Sequence, residues 1–183
     1  MIRDFDGHSP QIHPSVWIEP SADVIGEVTL HEEVSVWCQA TIRGDVGPMV
    51  IGARTNIQDS CVVHQTHDLS RLVLGEDITV GHGAILHGCQ IADRVLIGMG
   101  AIVMDNVEIA SDCLVAAGSV LPPGKKYLQP GSMILGSPGR IVRALSEEEI
   151  ASILQSAGNY QNYVAAHRGS GGQAEGAGDS WVR

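Results

Sequence analysis

The sequence predicts an all-β chain: a coil of hexapeptide repeats, about six coils tall, followed by a C-terminal α-helix. Three observations carry this prediction. Aliphatic residues recur with a period of six, interrupted by short breaks, from Ile12 to Leu121. Aromatic residues make up only 4% of the 183 residues while glycines number 22, so the core must be built from Val, Ile, Leu and Ala in thin, repeated layers. Near the end of the chain, an acidic capping sequence is followed by apolar residues at helical spacing. The length favours one domain.

The repeat comes first. Ile12, Ile18, Val24, Leu30, Val36 and Ile42 open the series, which resumes after a short break at Ile51, Ile57 and Val63. A second break precedes Leu74, Val80 and Leu86, and the last run is Ile91, Ile97, Val103, Ile109, Val115 and Leu121. Two residues before many of these stands a small residue, for example Ala22, Ala40, Cys61, Ala84, Cys89, Ala101 and Cys113. Two inward positions in every six residues fit a short strand plus a corner, and three such sides close a triangular coil. About eighteen hexads give about six coils, a prism of roughly 29 Å at ~4.8 Å per coil. The pattern resembles the hexapeptide repeat of left-handed parallel β-helices, and the handedness is implied by that resemblance alone.

The remaining elements follow in order. The coil is expected over 1–128, ended by Pro122-Pro123-Gly124, with a Gly-rich connector over 129–145. Ser146-Glu147-Glu148-Glu149 reads as a capping box. Ile150, Ile153, Leu154, Ala157 and Val164 then place a helix over 146–167, with Gly158 its weak point. Residues 168–183 read as a flexible Gly/Ser-rich tail.

Composition excludes several function classes. A net charge of −10 argues against nucleic-acid or anionic-membrane binding, which need basic patches. No apolar run approaches the length of a membrane span, and the first residues lack the apolar stretch of a signal peptide. Cys38, Cys61, Cys89 and Cys113 have no CxxC spacing and read as free thiols in a reducing cytoplasm. Three of them fall on the small inward slot and are expected to be buried; Cys38 is off that register.

Chemistry is expected among the histidines. His8, His13, His31 and His167 share no register and read as surface residues, and His67 is a reserve candidate close to His64. Ile42, Val63 and Leu86 occupy one side of successive coils, so Arg43, His64 and His87 should form a vertical ladder with rungs ~4.8 Å apart. On the adjacent side Ile57 and Val80 stack, which aligns Asp59 with His82. Five extended residues separate His82 from His87 by up to about 16 Å, whereas zinc holds imidazole nitrogens at about 2.0–2.1 Å. A threefold trimer would bring His64 and His87 of one chain to His82 of the next. One irregularity lies beside this ladder: the step from Leu86 to Ile91 is five residues rather than six.

Arg43-Gly44-Asp45, Asn56-Ile57-Gln58-Asp59, Val62-Val63-His64 and Val80-Gly81-His82-Gly83-Ala84-Ile85-Leu86-His87-Gly88-Cys89 together resemble the gamma-class carbonic anhydrase family, over roughly residues 10–165. The resemblance implies a homotrimer with metal sites at its subunit interfaces. It implies His64 and His87 as ligands from one subunit and His82 from the next, and an intersubunit ion pair between Arg43 and Asp59 with Asp45 close by. It further implies that Gln58 and Asn56 face the site and that Tyr160 stands near it on the helix. The metal is expected to be zinc, with iron or cobalt fitting the same ligands. Three neutral imidazoles leave the metal charge uncompensated, so a bound water ionises near neutral pH and the expected reaction is hydration of carbon dioxide to bicarbonate.

Two departures stand beside the resemblance. Val46 occupies a position where fully active members carry glutamate, and the interval between His64 and His82 is short, with only His67 and Asp68 titratable just past His64. Two other readings stay open. One is an acyl-coenzyme A transferase or thioesterase on the same coil, for which Lys125-Lys126 and Gly136-Ser137-Pro138-Gly139-Arg140 could serve a nucleotide. The other is a metal-binding scaffold with little catalysis.

Overall fold

The computed structural model describes residues 1–169. Apart from 168 and 169, the expected tail lies outside the described residues. Short strands wind into a parallel β-solenoid with a single C-terminal helix.

The three faces follow the period of six. One face stacks Asp23–Leu30, Thr41–Ile51, Val62–His64, Ile85–His87, Ile102–Val103 and Val120–Leu121, all in parallel. A second stacks Trp17–Ile18, Ser35–Val36, Asn56–Ile57, Thr79–Val80, Leu96–Ile97, Leu114–Val115 and Ser132–Gly136. The third holds Leu72–Leu74, Gln90–Ile91, Glu108–Ile109 and Lys126–Tyr127, joined to the first because Asp23–Leu30 and Thr41–Ile51 run through their corner without a break. In Thr41–Ile51 that continuous passage spans the first interruption of the repeat, between Ile42 and Ile51. There a Cβ on Gly26 would overlap the Gly44 carbonyl oxygen, so the two coils approach closely only because both residues are glycine.

Inward aliphatics from all three faces form one continuous core, and Cys61, Cys89 and Cys113 fill its small slots, fully buried. Burial pushes the Cys89 thiol up to about 12 and the Cys61 thiol to about 11, so both are inert apolar fillers rather than nucleophiles.

The solenoid has seven turns rather than six, because the second face carries seven parallel strands. Ile2–Arg3, which precedes the first hexad, also pairs in parallel with Val24 and Ile25. At the other end the prolines do not stop the coil. Pro122 and Pro123 sit at a corner, where no ladder donor is needed. Tyr127 then fills the next inward slot, with its hydroxyl donating to the Gly139 carbonyl (2.9 Å). The stretch expected as a connector over 129–145 is mostly strand. Ser132–Gly136 adds a parallel rung, and Gly139–Ala144 returns antiparallel along it. Gly136 (φ 109°) serves the hairpin turn between them, and Lys126 pairs with Glu108 (2.7 Å). These glycines and this lysine therefore have structural work.

The helix spans Glu147–Gly169. The capping box is reciprocal: the Glu149 amide donates to Ser146 Oγ (3.2 Å) and the Ser146 amide to Glu149 Oε2 (2.9 Å). Twenty-three residues make a rod of about 34 Å, close to the height of seven coils at ~4.8 Å each. The helix lies along the second face with Ile153, Ala157 and Val164 buried. Leu154, expected on the same stripe, is half exposed. Near the far end, Trp37 packs edge-on against Tyr160 (5.3 Å) and His167 (5.4 Å), and Arg168 donates to the Ser15 carbonyl (2.7 Å). Among the described residues no helix is long and apolar enough to cross a membrane.

Candidate metal centre at a solenoid face

The strands Val62–His64 and Ile85–His87 are in register, with His64 directly opposite His87. The rings meet edge to face, and His64 Nδ1 stands 3.2 Å from His87 Nε2. The outer nitrogen of each ring points at a carboxylate. His64 Nε2 donates to Asp45 Oδ1 (2.9 Å) and His87 Nδ1 to Asp105 Oδ1 (3.0 Å). With both outer protons committed, the two facing nitrogens carry lone pairs directed at one another. Such a pair is repulsive unless a cation or a proton lies between them. Metal-binding histidines commonly show this arrangement, with the far nitrogen held by a carboxylate.

Electrostatics agree with the geometry. Asp45 lies below the usual carboxylate range: partial burial pushes it up, but hydrogen bonds from His64 and Arg43, and the Arg43 charge, outweigh that. Asp105 is likewise lowered. Burial again opposes the shift, and hydrogen bonds from Ser70, His87 and Thr66 overcome it. Both carboxylates are thus strongly anionic acceptors.

His82 stands apart, on the second face. It lies one coil above Asp59, in the register set by Val80 and Ile57, and its Nδ1 donates to Asp59 Oδ2 (2.8 Å). The His82 amide donates to Gln58 Oε1 (3.2 Å), and Gln58 Nε2 donates to Asn56 Oδ1 (3.1 Å). Asn56 is fully buried and spends its own amide on the Ile78 carbonyl and Thr79 Oγ1. It therefore fixes Gln58 rather than facing an open site. Tyr160 leans on the same corner; burial, aided by the Asp59 charge, pushes its hydroxyl up to about 12, so it stays protonated.

The residues expected to act together thus fall into two groups within one chain. Arg43, Asp45, His64 and His87 form one; Asn56, Gln58, Asp59, His82 and Tyr160 form the other. Within the chain Arg43 pairs with Asp45, not with Asp59. Among the described residues, no three His, Cys, Asp or Glu side chains of one chain converge as a metal-binding group. His67, the reserve candidate, is exposed and pairs with its neighbour Asp68 (3.1 Å). A shallow groove of about 330 Å³ starts at Gln58 and His82 and runs beside the helix past Leu96, Met99 and Ser156.

Sequence reasoning missed Asp105, Ser70 and Thr66. A signal existed for Asp105: it follows Val103 by two positions, as Gly88 follows Leu86, so the hexad count places it one coil above the His87-Gly88 corner. Ser70 and Thr66 lie in the second interruption of the repeat, where no register exists to place them.

Residues 88–123 match the family of bacterial transferase hexapeptide proteins (six repeats). The chain is 42% identical over 181 residues to protein YrdA of Escherichia coli, covering 96% of this chain and 98% of that one. It is 38% identical over 172 residues to mitochondrial gamma carbonic anhydrase 1 of Arabidopsis thaliana, covering 91% of this chain and 62% of that protein. Among solved structures it superposes on a hexapeptide transferase family protein from Anaplasma phagocytophilum with a TM-score of 0.85, at 36% identity over 92% of this chain and 96% of that one.

Proposed function

The chain belongs to the gamma carbonic anhydrase-like family of hexapeptide-repeat proteins, and from that membership we propose that it forms a homotrimer whose interfaces hold a metal ion and hydrate carbon dioxide to bicarbonate. The observation that carries the reading is the separation of His64 Nδ1 and His87 Nε2, 3.2 Å. Two nitrogens on one tetrahedral zinc, each at about 2.0–2.1 Å, lie about 3.3–3.4 Å apart. The donor pair therefore fits such an ion, and iron or cobalt suit the same ligands.

The third ligand is His82 of a neighbouring protomer, since His82 stands on a different face of its own chain. Supporting an interface, Val62, Ile85 and Met104 present exposed apolar side chains on the face that carries His64 and His87. In the trimer Asp59 of one protomer would meet Arg43 of the next across that contact. When bound, the metal supplies a nucleophile from water at neutral pH. The chain's own residues do the rest. Asp45 and Asp105 hold the imidazoles, Gln58 orients substrate by hydrogen bonding, Asn56 fixes Gln58, and Tyr160 closes the corner. Four free thiols fit a reducing cytoplasm.

The test is metal analysis of protein purified without added metal, read beside its mass in solution. About one metal per chain in a trimer is expected; a metal-free monomer would end the reading. A second reading, acyl transfer from coenzyme A, draws on the transferase family match and on the groove that begins at His82. Saturable coenzyme A binding by protein that takes up no metal would favour it.

A further inference from the structure

We propose that Asp105 is the positioning residue that sets the ring tautomer of His87 and so prepares His87 Nε2 to bind a metal; this rests on the metal-site reading above. Asp105 is surrounded only by donors. Its Oδ1 accepts from His87 Nδ1 (3.0 Å) and from the Ser70 hydroxyl, and its Oδ2 accepts from the Thr66 hydroxyl (3.1 Å). Ser70 Oγ itself accepts the Thr66 amide (3.0 Å), which leaves the Ser70 proton free for the carboxylate. A carboxylate with three donors around it has no proton to give, so the His87 partner nitrogen must be N–H. In the neutral ring that leaves Nε2 bare, on the side facing His64.

The place is built into the fold. Ser70 belongs to the second interruption of the repeat, and Gly88 stands at the five-residue step. A Cβ on Gly88 would overlap both Ser70 Oγ and Asp105 Oδ1, and its φ is +56°. The lost residue and the glycine therefore open the room in which Ser70 and Asp105 meet behind His87. Asn106 secures the same loop by donating to the Leu69 carbonyl (3.2 Å). Two irregularities of the sequence, 18 residues apart in Ser70 and Gly88, thus converge on one carboxylate.

Nitrogen-15 NMR of the imidazole rings in metal-free protein reads the tautomer directly, and zinc titration against a competing chelator reads affinity. In the wild type His87 is expected as the Nδ1–H form. Asp105→Asn should lose that form, because an amide can donate to Nδ1, and should weaken zinc binding about 10- to 100-fold. The paired change Ser70→Ala with Thr66→Val loosens the loop but spares the Asp105–His87 contact, so it should keep the tautomer. Mass in solution checks that each variant assembles as the wild type does. If Asp105→Asn does not fold, the wild-type spectrum still decides, because an Nε2–H form of His87 overturns the proposal. It is also overturned if Asp105→Asn keeps both tautomer and affinity, or if the paired loop variant loses the tautomer equally. A wild type with the expected tautomer that takes up no zinc overturns the metal-site reading and, with it, the role of Asp105.

Discussion

Arg94 grips Asp112 of the next coil with two hydrogen bonds, Nε at 2.7 Å and Nη2 at 2.9 Å, while its own backbone holds φ at +54°. Arg54 and Asp77 repeat the arrangement two coils earlier, at 2.7 and 2.9 Å. These corners need a left-handed backbone, which costs a non-glycine residue about 1–2 kcal/mol. An exposed ion pair returns about 0.2–1 kcal/mol. Removing the side chain with Arg94→Ala loses the pair and keeps the strain, whereas Arg94→Gly loses the pair and relieves it. Urea unfolding should therefore find Arg94→Gly at least as stable as Arg94→Ala, the reverse of the order in a helix or strand. Alanine clearly ahead would show that the corner carries no strain.

Gly88 and Gly83 separate strain from crowding. Both have positive φ, +56° and +68°, but only at Gly88 would a Cβ meet other atoms. Gly83→Ala should cost about 1–2 kcal/mol, the backbone penalty alone. Gly88→Ala should cost more, about 2–4 kcal/mol, since overpacking adds to it. It should also disturb the Ser70–Asp105 contact behind His87. Equal losses of stability in the two variants would show that Ser70 can move aside freely.

Acid should loosen the helix at its first turn. The Arg143 hydrogen bonds, joined by the Ser146 amide, hold the Glu149 carboxyl at about 2, against an ordinary value of 4.5. A depressed carboxylate adds stability above its unfolded pKa and loses it as pH falls through the folded one. The contribution is thus present above about pH 4.5 and fades towards pH 2. Far-UV circular dichroism should show wild type losing resistance to urea across that window more steeply than Glu149→Gln. Parallel pH profiles for the two proteins would refute it.

The thiols should divide by burial. Cys61, Cys89 and Cys113 are buried, and burial raises all three. Cys38 is half-buried, and burial with the nearby Glu19 and Asp59 charges raises it as well. A colorimetric thiol reagent at pH 8 should titrate at most one thiol per native chain, slowly, and all four after denaturation. Rapid modification of three or more native thiols would contradict a continuous core.

Mixed mutants test whether a site is shared between chains. His64→Ala and His82→Ala should each abolish metal binding in a homogeneous assembly. Unfolded together and refolded, the two should recover part of it, because some interfaces then combine an intact His64 and His87 with an intact His82. No recovery would mean that each site lies within one chain.

Much of this molecule was legible in its residues because a solenoid repeats a local rule. A period of six with a small inward slot requires only that each residue know its neighbours along the chain. The core, the buried cysteines, the opposed His64 and His87 and the capping box at Ser146 could therefore be read by counting. Counting stopped where the rule changed its residue types. Tyr127 replaced an aliphatic, prolines sat at a corner, and glycines that looked like a connector bounded the last hairpin, so the seventh turn was hidden. What only the tertiary structure decided is which groups meet across coils from segments without register. Asp105 finds Ser70, Thr66 and His87 because hydrogen bonds between stacked turns bring distant residues together. The period places Asp105 above the His87-Gly88 corner but carries no information about Ser70 and Thr66, which complete the donors around that carboxylate.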